Sequence, residues 1–99
     1  MGKIFEGQSA LRIECRCSVD ITGALATLIK YTKPSGASGS FVATVQDALQ
    51  GIIYYDVVTT SEIDEDGVWL MWSHVTFSDG RIAQGIPIKV CVNAEGEII

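Results

Sequence analysis

Basic residues are few and dispersed in this chain. Seven lysines and arginines stand against twelve acidic residues, for a net charge of −5. Lys3, Arg12, Arg16, Lys30, Lys33, Arg81 and Lys89 form no run. That excludes nucleic acid as a main partner, because phosphate binding needs clustered cations. Long apolar runs are also missing, and none approaches the ~20 residues of a membrane-spanning helix. The opening Met1-Gly2-Lys3-Ile4-Phe5-Glu6 lacks the apolar core and small-residue cleavage site of a secretion signal, so the chain reads as cytosolic when made. Three cysteines, an odd number in that setting, are expected to be free thiols.

The motifs of catalysis are scarce too. His74 is the only histidine, and no Gly-x-Ser-x-Gly elbow accompanies it. Gly36-Ala37-Ser38-Gly39 lacks the Lys-Ser/Thr of a phosphate loop. Cys15, Cys17, Cys91 and His74 could number a zinc ligand set, but their spacing fits no finger or ribbon, and Cys15 and Cys17 alternate with charges as core residues do. The acidic stretch Glu62, Asp64, Glu65 and Asp66 lacks the register of a calcium loop and reads as a solvated corner. The expectation is no enzyme, no cofactor and no metal.

What is present is a strand pattern. Ninety-nine residues, 47% of them hydrophobic, suffice for one domain, here 1–99 with its core over about 3–92 and a tail at 93–99. Leu11-Arg12-Ile13-Glu14-Cys15-Arg16-Cys17 alternates apolar and charged residues, as a half-buried strand does. Further strands are predicted over Ala24 to Thr32, Phe41 to Val45, Ile52 to Val58, Val68 to Phe77 and about Ile86 to Val92. Lys33–Gly39, with Pro34, two glycines and two serines, is a tight connection, and Asp79-Gly80 marks a hairpin. Turns every ~8–12 residues predict an all-β fold, a sandwich or barrel of six to seven short strands.

The segment from Ser61 to Trp72 organises the rest. An acidic turn and Gly67 feed a strand in which Trp69 and Trp72 point to opposite faces, being an odd number of residues apart. With Trp69 and Met71 inward, Leu70, Trp72 and His74 make a second face that is also apolar, and Ile52–Val58 repeats the feature. A sheet with one wet face should instead alternate. Either the Gln46–Gly51 loop or the chain ends cover this second face, or, the preferred reading, it is an apolar patch that meets another protein, with Tyr54, Trp72 and Phe77 as the contact residues. The loops Lys33–Gly39, Gln46–Gly51 and Ser78–Arg81 are expected to face partners as well.

Ile29-Lys30-Tyr31-Thr32-Lys33-Pro34-Ser35-Gly36, Gly39-Ser40-Phe41-Val42-Ala43-Thr44-Val45, Asp64-Glu65-Asp66-Gly67-Val68-Trp69 and Gly85-Ile86-Pro87-Ile88-Lys89-Val90-Cys91-Val92 together resemble small immunoglobulin-like domains of tailed bacteriophages. The resemblance implies an immunoglobulin-like antiparallel β-sandwich acting as a non-enzymatic virion part, in head decoration or in the tail and baseplate. It implies other virion proteins as partners, a homo-oligomer or a lattice-bound copy, and a location in the virion after synthesis in the host cytoplasm. An adhesion module that binds carbohydrate or a host surface protein is the alternative reading, since aromatic residues stack on sugars.

Overall fold

The computed structural model describes residues 4–5, 7, 9, 11–59 and 61–93. The expected tail beyond residue 93 and the core boundary at residue 3 lie outside them. Among the described residues nine strands follow one another, where six to seven were expected: β1 (Ile4–Phe5), β2 (Leu11–Arg16), β3 (Ala24–Thr32), β4 (Ser38–Val42), β5 (Thr44–Asp47), β6 (Ile52–Val57), β7 (Gly67–Phe77), β8 (Ile82–Gln84) and β9 (Ile88–Asn93). The larger sheet has the order β1-β9-β7-β3-β4, with β8 also on β7, and the smaller has β2-β6-β5. Every pairing is antiparallel except β1 with β9. The immunoglobulin-like sandwich read from the sequence is the observed fold.

Side-chain alternation decides which residues lie between the sheets. Trp69, Met71 and Val75 of β7, with Ile29 of β3, face Ile13 and Cys15 of β2 and Ile53 and Val57 of β6, all buried. Arg12, Glu14 and Arg16 point to water. An aromatic chain crosses this core. Trp69 meets Tyr31 at 5.3 Å between centroids, Tyr31 meets Phe41 at 4.8 Å, and Phe41 stacks on Tyr55 at 4.6 Å. These tilted and stacked pairs lie in the favourable range for ring quadrupoles.

Two departures from the strand prediction have local causes. The single strand expected over Phe41–Val45 is two: Phe41 pairs with Ile29 in the larger sheet, and Val45 with Ile53 in the smaller. The chain changes sheet at buried Ala43, whose N–H donates to the Thr27 carbonyl (3.0 Å) while its own carbonyl accepts from Thr27 Oγ1 (2.7 Å). The apolar alternation continues straight through the crossing, so periodicity does not reveal it. The last strand starts at Ile88 and not Ile86, and β8 precedes it. Both lie against β7, β8 beside His74–Thr76 and β9 beside Gly67–Met71. Pro87 has no N–H to donate to the ladder, and the edge breaks there.

Gly67 opens β7 at φ +122°, and a Cβ on it would lie 2.8 Å from Pro34 Cγ. The corner before β7 therefore needs glycine for its backbone and for the close approach of the Lys33–Gly39 hairpin. Gly67→Ala is expected to cost more than ~1 kcal/mol, because alanine is strained at this φ. Urea denaturation should show the lower midpoint, and an unchanged midpoint would mean that the two turns are not held together.

Candidate functional site

The parity of β7 places Val68, Leu70, Trp72, His74 and Thr76 on the outer face of the larger sheet. Register extends them into rows across the neighbouring strands. Leu70 stands beside Lys89 on one side and Thr32 on the other, with Ser38 beyond; Trp72 stands beside Lys30 and then Ser40; His74 stands beside Leu28 and then Val42. Val42 is 78% exposed, Val68 49% and Leu70 39%. A shallow depression of about 370 Å³ opens among Trp72, Lys30, Tyr31, Ser38, Gly39 and Ser40. A Cβ on Gly39 beneath it would lie 2.6 Å from Cζ of Tyr31, the residue opposite it on β3, so a larger residue there would have to displace that ring.

Charge distinguishes this face from the rest of the molecule. Among the described residues, its strand positions carry two cations, Lys30 and Lys89, and no carboxylate. The described carboxylates lie elsewhere: Glu14 and Asp56 on the smaller sheet, Asp20, Asp47 and Asp79 in or beside turns, and Glu62, Asp64, Glu65 and Asp66 at the corner. Burial first, and then the nearby Lys30 charge, hold the His74 imidazole below its ordinary pKa, so at neutral pH it adds no charge. Its Nδ1 is buried with no hydrogen-bond partner among the described residues.

The three expected contact residues are not brought together. Trp72 is on the outer face of the larger sheet. Tyr54 is on the outer face of the smaller one, on the opposite side of the sandwich, where the Arg12 guanidinium lies 4.0 Å from its ring centroid. Arg12 is fixed there by Asp56, at 2.7 and 3.0 Å. Phe77 is half-buried at the end of β7, packed against the core, with the Arg81 guanidinium 5.7 Å from its ring. The residues joined to Trp72 are Leu28, Lys30, Val42, Leu70 and Lys89. The signal for their face was the double apolar parity of β7; their identity needs the cross-strand register.

The acidic corner is occupied by the fold itself. Asp64 pairs with Lys33 Nζ at 2.9 Å, and Glu65 accepts from Ser35 N (3.1 Å) and Ser35 Oγ (2.9 Å). The Glu65 carbonyl accepts from Trp69 Nε1 at 2.9 Å. Glu62 accepts from Tyr55 Oη and from the N–H groups of Val58 and Thr59. Corner and hairpin thus close on each other, and the Lys33–Gly39 loop, expected to meet partners, is tied by Lys33 and Ser35 to this chain.

Chemistry-bearing residues stay apart. Ser73 and His74 point to opposite faces of β7, Ser73 into the core with a hydroxyl that has no partner among the described residues. Burial pushes the Cys15 thiol up to about 11, which leaves no thiolate at neutral pH. Cys91 shares the outer face with His74, but its row meets β7 at Val68, ~20 Å along the strand from His74. Among the described residues, no group of three or more His, Cys, Asp or Glu is placed to hold a metal ion.

No family model and no curated protein matches the chain. Among solved structures, CopC from Methylosinus trichosporium OB3b is similar, with a TM-score of 0.58 at 16% sequence identity, over 100% of this chain and 91% of that one. At this identity the likeness shows the fold alone. It corrects the bacteriophage reading. The matching sandwich belongs to a bacterial CopC, which points away from a virion part in head, tail or baseplate and from a location in the virion. The motifs behind that reading are the hairpin, the corner and Trp69, which here serve to close one end of a sandwich.

Proposed function

We propose that this protein is a non-enzymatic binding module that docks the outer face of its larger sheet onto an acidic surface of another protein. One observation carries the reading: in a chain of net charge −5, the exposed apolar rows around Trp72 are accompanied, among the described residues, by Lys30 and Lys89 and by no carboxylate. Contiguous exposed apolar surface marks interfaces, and complementary charge selects and steers the partner. Two copies meeting face to face would bring the lysines of both into one interface, which like-charge repulsion opposes. A carboxylate-bearing partner removes that repulsion. The separation of Ser73 from His74 supports a passive role over hydrolysis.

The test is affinity capture from native cell extract, with the immobilised protein and three variants compared for one identified partner. Trp72→Ala and Lys30→Glu should each lower its recovery at least tenfold, while Thr44→Glu, on the outer face of the smaller sheet, should leave recovery unchanged. The partner's contact segment, mapped by chemical cross-linking, should be rich in Asp and Glu. Recovery indifferent to Trp72 and Lys30 but lost with Thr44→Glu would overturn the assignment.

A further inference from the structure

The smaller sheet ends at β2, and that edge bears a self-complementary pattern. Cys17 N–H donates to the Gly51 carbonyl at 2.7 Å, which sets the ladder with β6. By the antiparallel alternation, Ile13 and Cys15 then direct their N–H and C=O groups to β6, while Arg12, Glu14 and Arg16 direct theirs away from it. A groove of about 370 Å³ runs beside this edge, lined by Glu14, Cys15, Arg16, Ser18, Ile86 and Ile88. Ile86 is 84% exposed and Ile88 43%. Unpaired strand edges are templates for another strand.

We propose that β2 pairs antiparallel with β2 of a second copy across a two-fold axis at Ile13, joining the two smaller sheets into one. Parity restricts the choice, because a shift by one residue would turn the apolar face outward. Centring on any residue of the strand keeps the faces, and centring on Arg12 or Arg16 opposes that arginine to itself. Centring on Glu14 opposes Glu14 to itself and Arg12 to Arg16, which sets like charges directly across. Centring on Cys15 pairs Glu14 with Arg16, but the Arg16 carbonyl is already covered by Gly85, packed so closely that a Cβ there would collide with it. Centring on Ile13 sets Arg12 against Glu14 on both sides of the axis, where the backbone groups of both residues point outward.

The side chains suit that last register. Arg12 already holds Asp56 across β6, so each row reads Asp56, Arg12 and then Glu14 of the second copy, alternating in charge. Opposite-charge pairs facing each other across antiparallel strands are favourable. On the core side, Leu11 of the second copy stands opposite Cys15, beside the groove formed with Ile86 and Ile88. The two larger sheets then lie on the same side of the joined sheet.

Sedimentation velocity across a concentration series tests the pairing. The native chain should show a dimer that grows with concentration. Glu14→Arg and Arg12→Glu, each alone, oppose like charges and should weaken dimerisation at least tenfold. An equimolar mixture of the two variants opposes arginine to glutamate in every row and should restore the dimer as a mixed species, which also shows that both variants are folded. A native chain that stays monomeric, single variants that dimerise like the native chain, or a mixture that stays monomeric would each overturn the proposal. So would a dimer abolished by Trp72→Ala, since that places the contact on the other sheet.

Discussion

Trp69→Ala is expected to cost about 3–5 kcal/mol, the range for truncating a buried aromatic to alanine. The native margin of a domain is only ~5–15 kcal/mol, so the variant should be marginal or unfolded at ordinary temperature. The effect is large because Trp69 joins separate parts of the fold. Its ring is fully buried against Tyr31, its Nε1–H donates to the Glu65 carbonyl at 2.9 Å, and Lys33 Nζ lies 5.6 Å from its centroid. Its removal opens the core and loosens the corner and hairpin together. Trp72→Ala, three residues on, should cost only ~1 kcal/mol, because that side chain lies on the outer face and has cross-strand neighbours alone. Thermal melts followed by circular dichroism separate the two. Trp69→Ala should lower Tm by more than ~12 °C and Trp72→Ala by roughly a third as much. Equal losses would make Trp72 a core residue and remove it from the docking face.

Glu62→Ala is expected to cost ~2 kcal/mol at neutral pH, in the range for hydrogen bonds to a charged group. One carboxylate accepts from Tyr55 Oη, from Val58 N at 2.7 Å and from Thr59 N at 2.6 Å, fixing the turn that leads out of β6. Burial raises its pKa, but the hydrogen bonds from Thr59, Tyr55 and Val58 outweigh that and leave it lowered. A lowered folded-state value means that the carboxylate stabilises the fold above the ordinary carboxylate pKa. That contribution is lost as pH falls through the folded value. The Tm difference between the native chain and Glu62→Ala should therefore be largest near neutral pH and shrink at about pH 3, below the ordinary glutamate value. A difference that grew toward acid would contradict the assignment.

The fold was legible wherever a local rule decided the outcome. Alternation placed Ile13 and Cys15 inside and Arg12 and Glu14 outside, and the odd spacing of Trp69 and Trp72 sent the indoles to opposite faces. Asp79-Gly80 formed its hairpin, with Gly80 N–H donating to the Phe77 carbonyl at 3.0 Å. The sheet change at Ala43 escaped detection because Phe41, Ala43 and Val45 continue the apolar alternation in sequence, although Val45 beyond the crossing is exposed. Short β8 was missed because Ile82-Ala83-Gln84 carries too few residues for a pattern.

Candidate contact residues were legible one strand at a time and no further. Parity identified the outer face of β7 and with it Trp72. It could not say that Lys30 and Val42 lie across from Trp72 and His74, because register is a long-range property set by turns and core packing. The same limit grouped Tyr54 with Trp72, although they lie on opposite sides of the sandwich. The virion role came from motifs whose residues pair with one another. Lys33 with Asp64 and Ser35 with Glu65 specify how one end of a sandwich closes, and such closure is compatible with many functions.

The central claim is that the outer face of the larger sheet receives an acidic partner protein and the outer face of the smaller sheet does not. Site-specific photocrosslinking in the native cell tests it most directly. A benzophenone side chain is placed at Val42 on the outer face of the larger sheet and, in a second variant, at Asp56 on the smaller. The account predicts a strong adduct from Val42 to one acidic protein, lost when Trp72→Ala is added, and no adduct to that protein from Asp56. An adduct to it from Asp56 with none from Val42 would contradict the claim.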